Sequence, residues 1–132
     1  MSRCDCTVAG VGIDVVDLER FRTLLSRRSA APRRLFTEAE QAYASSSSDP
    51  AKRLAARFAA KEATMKALGV GIGAVRFRDM EVLGDGGRPT LQLAGRAARL
   101  AEEMGITCWH ISLSHSDLVA VASVLAASGP GA

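Results

Sequence analysis

The sequence predicts an α+β domain, a largely antiparallel sheet around one long central helix. Three observations carry this reading. Apolar runs at residues 8–14 and 118–125 lie near the two ends of the chain and have strand character. Between them, residues 50–68 are dominated by helix formers and stop at Gly69. The remaining strand-like runs are joined by turn residues, which favours hairpins over parallel crossovers.

Taken in order, residues 1–7 are a loose start. Residues 8–14, Val-Ala-Gly-Val-Gly-Ile-Asp, read as a buried strand whose two glycines allow close backbone approach. Residues 15–28 have helical spacing, with Val16, Leu18, Phe21, Leu24 and Leu25 apolar, and Pro32 breaks the pattern. Thr37 opens Thr-Glu-Ala-Glu, a capping box that assigns Glu40 to capping and starts a helix running to about Ala44. A serine-rich loop ends at Asp49-Pro50, which opens the long helix. On that helix Leu54, Phe58, Met65 and Leu68 share one side. Ala59, Ala60, Ala63 and Ala67 share another, where a second element can come close.

Gly69, Gly71 and Gly73 then form a loop. Residues 75–83 alternate as a strand needing a bulge or register change near Asp79. A glycine turn at 84–87 leads to a return strand at 89–93. Residues 96–104 form an amphipathic helix closed by Gly105. A strand at 109–114, a turn at Ser116-Asp117 and a last strand at 118–125, apolar on both faces, complete the fold. Residues 128–132 are a tail. The order is β-α-α-α-β-β-α-β-β, and residues 1–132 are expected to form a single domain.

Composition narrows the function. With 48% apolar and 23% charged residues, a globular, soluble protein is expected. No apolar run is long enough to span a bilayer, and no signal peptide is evident. Three cysteines without a framework spacing argue for reduced thiols and a cytoplasmic location. Cys4-x-Cys6 has no second ligand pair to complete a zinc site. The net charge of +3 is local in origin: residues 20–34 hold six arginines and no acid. Such a patch suits an anionic partner, nucleic acid or an acidic protein. With one Trp and one Tyr, base-stacking platforms are scarce.

Two acids stand out. Asp14 ends an apolar strand, and Glu62 projects between two packing faces of the long helix. Glu62 and Lys66 have the spacing of an ordinary i,i+4 surface pair. Asp14 supplies the alternative, a pair of carboxylate ligands for Mg²⁺ with room for water and phosphate oxygens. Lys66, one turn beyond Glu62, would then reach a phosphate. His115, at a strand end, reads either as another phosphate ligand or as a hydrogen-bonded structural histidine.

The stretches at 12–21, Gly-Ile-Asp-Val-Val-Asp-Leu-Glu-Arg-Phe, and 57–69, Arg-Phe-Ala-Ala-Lys-Glu-Ala-Thr-Met-Lys-Ala-Leu-Gly, resemble the two signatures of the holo-acyl-carrier-protein synthases. Phe36-Thr37 with Glu40, Gly71-Ile72-Gly73 and Ile111-Ser-Leu-Ser-His115 agree with the same family. The resemblance covers residues 8–126 and implies the 4′-phosphopantetheinyl transferase fold. It implies Mg²⁺-dependent transfer of the phosphopantetheine arm of coenzyme A to a serine of apo-acyl carrier protein, with 3′,5′-ADP as the other product. The carrier would serve fatty acid or polyketide synthesis.

By the same resemblance, Asp14 and Glu62 are the metal-binding acids, and Lys66 contacts the pyrophosphate. Arg57, Gly69, Gly71, Ser114, His115 and Ser116 belong to the coenzyme A site. Either Glu62 or a metal-bound water takes the serine proton. The family forms homotrimers with active sites between subunits, which implies that Asp14 and Glu62 come from different chains. The chain departs from the pattern at Asp17, where relatives often have Glu, and in the serine-rich loop, where relatives can carry basic residues for the 3′-phosphate; Lys52 and Arg53 are the available substitutes. Arg20, Arg27 and Arg28 are expected to dock the acidic carrier. Competing readings are a non-catalytic carrier-docking module, which would have lost Asp14, Glu62 or Lys66, and a basic nucleic-acid binder, which leaves the acids unexplained.

Overall fold

The computed structural model describes residues 7–84 and 87–129. Strand β1 (Thr7–Asp17) leads into helix α1 (Leu18–Arg27), the one-turn α2 (Ala31–Leu35) and α3 (Glu38–Ser45). Helix α4 (Pro50–Leu68) follows as the long central helix. Then come a 3₁₀ turn (Phe77–Asp79), β2 (Met80–Leu83), β3 (Thr90–Leu93), α5 (Gly95–Glu103), β4 (Cys108–His115) and β5 (Val119–Ser128). The strands form two antiparallel sheets, β1-β5-β4 and β2-β3, so the α+β reading holds.

Several boundaries differ from expectation for physical reasons. Val15 and Val16 belong to the strand, opposite Val121 and Ala120, because Asp17 sets the helix start. Its carboxylate accepts from the Arg20 backbone N–H at 2.9 Å, the N-cap bond that a helix beginning at residue 15 would lack. Strand β1 is half-buried rather than buried, with Val11, Ile13 and Val15 about 60% exposed on its outer face. Pro32 does more than end a helix: it sits in the first turn of α2, where its missing N–H costs nothing. The run at 75–83 breaks into a 3₁₀ turn and a strand instead of bulging. The last strand starts at Val119 and runs to Ser128, leaving Leu118 in the turn. The glycine turn falls partly on residues 85–86, and Cys4 and Cys6 also lie outside the described residues.

Helix α4 is almost wholly enclosed. Its alanine face meets β1 so closely that a Cβ on Gly12 would lie 2.7 Å from the Ala63 carbonyl carbon, and one on Gly10 would lie 2.9 Å from that of Ala67. This is the close approach that the glycines and alanines predict. Across α4, Phe58 stacks on Phe77 at 5.5 Å and tilts against Phe21 of α1.

Glu40 caps α3 as expected, accepting the Thr37 N–H at 2.9 Å. It does more. Its other oxygen accepts the Val82 N–H, and its first oxygen takes the Lys61 ammonium at 2.7 Å, with both side chains fully buried. Lys61 also donates to the Phe77 carbonyl at 2.8 Å. One ion pair thus joins α3, α4, the 3₁₀ turn and β2.

Candidate active site

Asp14 faces inward on β1, opposite Ala122, two residues beyond the Gly12 contact with α4. That contact delivers its carboxylate to the α4 surface carrying Glu62 and Lys66. Lys66 donates from Nζ to Asp14 Oδ1 at 3.2 Å and to the Ile13 carbonyl at 2.8 Å. Asp14's side chain keeps 14% of its exposure, that of Lys66 55%. The Glu62 carboxyl is held above its ordinary range, first by burial and then by the nearby Asp14 charge, against the opposing pull of Lys66. Two carboxylates and one ammonium therefore share a partly dry crossing within a single chain. This corrects the expectation that Asp14 and Glu62 come from different chains.

A second feature lies at the other end of α4. A cleft of about 930 Å³ is lined by the serine loop, the α4 N-terminus, the β2–β3 turn and the end of β4. Its charged residues include Lys52, Arg53, Arg57 and Arg88, with His115 on its wall. Arg57 is 5% exposed, donates to the Gly84 carbonyl at 3.2 Å and leaves its buried Nε without a partner. Burial pushes its guanidinium below the ordinary value. Asp49, also on the rim, caps α4 through the Lys52 N–H and is held by Arg22 in a two-bond ion pair at 2.6 and 2.9 Å. The Arg22 side chain beside it keeps the Asp49 carboxyl below the usual carboxylate range.

The structure thus separates the residues that sequence reading grouped. Asp14, Glu62 and Lys66 come together, and Arg57 and His115 come together, but none of the first three lines the cleft. Five residues separate Arg57 from Glu62, which places them about 140° apart around α4. Gly69 ends α4 in the left-handed conformation with φ 74°, and Gly71 is exposed in the following loop; neither lines the cleft. Ser114 points to the outer sheet face, opposite Val121. Ser116 accepts from the Leu118 and Val119 N–H groups and shapes the β4–β5 turn. Arg20, Arg27 and Arg28 are exposed on or beside α1, while Arg22 is engaged with Asp49. Sequence reading missed Tyr43 and Arg88; Tyr43 was hidden as a helix residue and Arg88 as part of a turn.

A family model described as the 4′-phosphopantetheinyl transferase superfamily matches residues 10–123. The chain belongs to this superfamily. Within it, the chain is 49% identical over 120 residues to a holo-[acyl-carrier-protein] synthase of Frankia casuarinae, covering 90% of this chain and 97% of that one. It is 46% identical over 121 residues to the protein of the same name from Streptomyces coelicolor, covering 91% and 98%. Among solved structures, holo-[acyl-carrier-protein] synthase of Neisseria meningitidis superposes with a TM-score of 0.81 at 36% identity, covering 91% and 98%. The Bacillus anthracis enzyme, solved in complex with CoA, gives 0.76 at 36% identity, covering 92% and 98%.

Proposed function

We propose that this chain is a holo-acyl-carrier-protein synthase. It moves the 4′-phosphopantetheine arm of coenzyme A onto a serine of an apo-acyl carrier protein and releases 3′,5′-ADP. The observation that carries the reading is the meeting of Asp14, Glu62 and Lys66 at the β1–α4 crossing. It supplies negative charge for a cation and positive charge for a phosphate in one place.

The donor set fits Mg²⁺. Among the described residues no cluster of three or more His, Cys, Asp or Glu forms a closed metal cage. Two neighbouring carboxylates, with Glu62 raised first by burial and then by the Asp14 charge, suit a hard cation whose other ligands are water and phosphate oxygens. Asp14 and Glu62 would hold it, and it would supply charge neutralisation at the pyrophosphate. Lys66 adds its ammonium to the same phosphates. Glu62, lifted toward neutrality by burial, is suited to take the serine proton as the serine oxygen bonds to phosphorus and the bond to the nucleotide breaks. The cleft residues Arg57 and His115 hold the departing nucleotide. Gly69 and Gly71 follow Lys66 at the α4 C-terminus, and Ser114 and Ser116 carry the strand end that presents His115.

Arg57 and Glu62 diverge around α4, so a substrate that touches both draws the cleft from one copy and the acids from a neighbour. The outer face of β1, with Val11, Ile13 and Val15 exposed beside Val121 and Leu125 of β5, supports assembly of such a site. A homotrimer is the assembly proposed. The carrier docks on Arg20, Arg27 and Arg28, whose guanidiniums match its carboxylates. Intact-mass analysis of a panel of apo-carrier proteins incubated with coenzyme A and Mg²⁺ tests the reaction. Gain of the phosphopantetheine mass on at least one carrier is expected, and no gain on any carrier would overturn the reading.

A further inference from the structure

We propose that Tyr43 is a positioning residue that gathers Arg53 and Arg57 into a clamp for the nucleotide's phosphomonoester. It thereby sets the preference for coenzyme A over dephospho-coenzyme A; the inference rests on the transferase reading above.

The geometry starts on α4. Arg53 and Arg57 are four residues apart, so their side chains project from neighbouring turns of one helix face. Like charges at this spacing repel, and Arg53 contributes to lowering the Arg57 pKa. The two cations are nonetheless held together. The guanidinium carbons of both lie 4.3 Å from the centroid of the Tyr43 ring. An aromatic face attracts a cation at this distance. One ring on α3 therefore offsets the repulsion of two arginines on α4. Among the described residues, neither arginine has a carboxylate within ion-pair distance.

An aromatic ring positions a guanidinium without using up its N–H donors. A carboxylate in the same place would occupy them. Apart from the Arg57 bond to the Gly84 carbonyl, the donors of this pair are left for something else, and Arg57 shows it. Its Nε is buried and unpartnered, although buried donors are nearly always satisfied. Tyr43, Arg53 and Arg57 all line the 930 Å³ cleft, with Lys52 and Arg88 beside them. The one acid among the described residues of the cleft wall, Asp49, is already engaged by Arg22. An anion with several acceptor oxygens is the ligand that such a pair of forks takes. On coenzyme A, the one phosphomonoester is the group that dephospho-coenzyme A lacks. Ser46 and Ser47 of the preceding loop are already engaged, donating to the carbonyls of Tyr43 and Ala44. The loop that looks too poor in cations for a phosphate is thus compensated by α4 and by one tyrosine.

The test compares wild type with Tyr43→Leu, Tyr43→Phe, Arg53→Gln and the Tyr43→Leu/Arg53→Gln double variant. Transfer to an apo-carrier is measured with coenzyme A and with dephospho-coenzyme A. Wild type is expected to prefer coenzyme A by on the order of 10- to 100-fold in kcat/KM, the worth of charge-assisted hydrogen bonds. Tyr43→Leu should lose about tenfold of that preference through a raised KM for coenzyme A, with the dephospho substrate scarcely affected. Tyr43→Phe, which keeps the ring, should retain most of it. The double variant should lose less than the product of the two single losses, because both act on one clamp. Calorimetric titration of each variant with 3′,5′-ADP and with 5′-AMP reads the same preference without chemistry. An unchanged preference in Tyr43→Leu, or multiplicative losses in the double variant, overturns the inference. So does a Phe variant as impaired as Leu. If wild type modifies no carrier yet shows the nucleotide preference and its loss in Tyr43→Leu, the transferase reading fails and the clamp stands.

Discussion

Gly12→Ala tests whether the β1–α4 contact builds the candidate site. The added Cβ would lie 2.7 Å from the Ala63 carbonyl carbon and 3.1 Å from its Cα, with the carbonyl oxygen nearer still. Carbon atoms settle at about 3.5–4.0 Å, so β1 must withdraw from α4 by roughly 1 Å. The obstacle is backbone, so no rotamer change relieves it, and a smaller side chain at position 63 does not help. Overpacking of this kind costs about 1–3 kcal/mol, or a melting-temperature loss of roughly 4–12 °C for a chain of this size. Asp14 sits two residues along β1 and Glu62 one residue from Ala63, so the withdrawal separates the two acids by a similar distance. A misplacement of about 1 Å costs on the order of 100-fold in rate. The assay pairs thermal denaturation with single-turnover phosphopantetheine transfer at saturating coenzyme A. A variant with wild-type stability and rate would show that the close approach does not set the site.

Other outcomes follow from the same geometry. Asp14→Asn and Glu62→Gln should fold and lose Mg²⁺-dependent transfer by several orders of magnitude; near-wild-type turnover in either rejects the assignment. Because the folded Glu62 pKa is raised, its ionisation opposes folding above the unfolded value. Without divalent cations, Glu62→Gln should therefore be more stable than wild type at pH 7, and the gap should close as pH falls below the carboxylate range; a gap that widens toward acid contradicts the cause given. Glu40→Gln or Lys61→Met alone should cost about 3–5 kcal/mol in chemical denaturation, since each leaves a buried charge unpaired, and a cost below 1 kcal/mol would contradict this. Ile13→Glu should break the proposed homotrimer in sedimentation and abolish transfer, whereas a fully active monomer refutes the proposed shared site. Arg20→Glu or Arg27→Glu should raise KM for the carrier but not for coenzyme A, as should added salt on wild type; unchanged carrier kinetics in both place docking elsewhere.

Legibility followed the range of the forces involved. Local signals read true: the Thr37–Glu40 box, Asp49-Pro50 and Gly69 act within one turn of backbone, and each bounds a helix as expected. The Gly10 and Gly12 contact was legible because small residues on two elements imply each other. The strand-to-helix switch at Asp17 was not, since Val15 and Val16 fit either period. The second partner of Glu40 was hidden by its first. A capping box accounts fully for a glutamate, and nothing local announces Lys61, 21 residues away. The site was legible as acids and bases but not as two separate places, because a motif lists residues along a helix without its azimuth. Tyr43 gave no signal, since its role depends on a helix that starts after it.

The pairing of β1 with β5 has a consequence for how the chain acquires its shape. Thr7 lies opposite Ser128, and the Ser128 hydroxyl reaches the Thr7 carbonyl across 121 residues of sequence. During synthesis β1 emerges well before β5, its only sheet partner among the described residues, a delay of about 6–24 s at ordinary elongation rates. Through that interval its valine-rich edge has no strand to pair with, which makes it the segment most exposed to mispairing on the ribosome. Late, long-range closure also makes for slow folding. Joining the two strand ends with a short linker and opening the chain in the 45–49 serine loop would keep the sheet pairing and its packing on α4 but make this pairing local, and such a permutant should refold faster than the natural order.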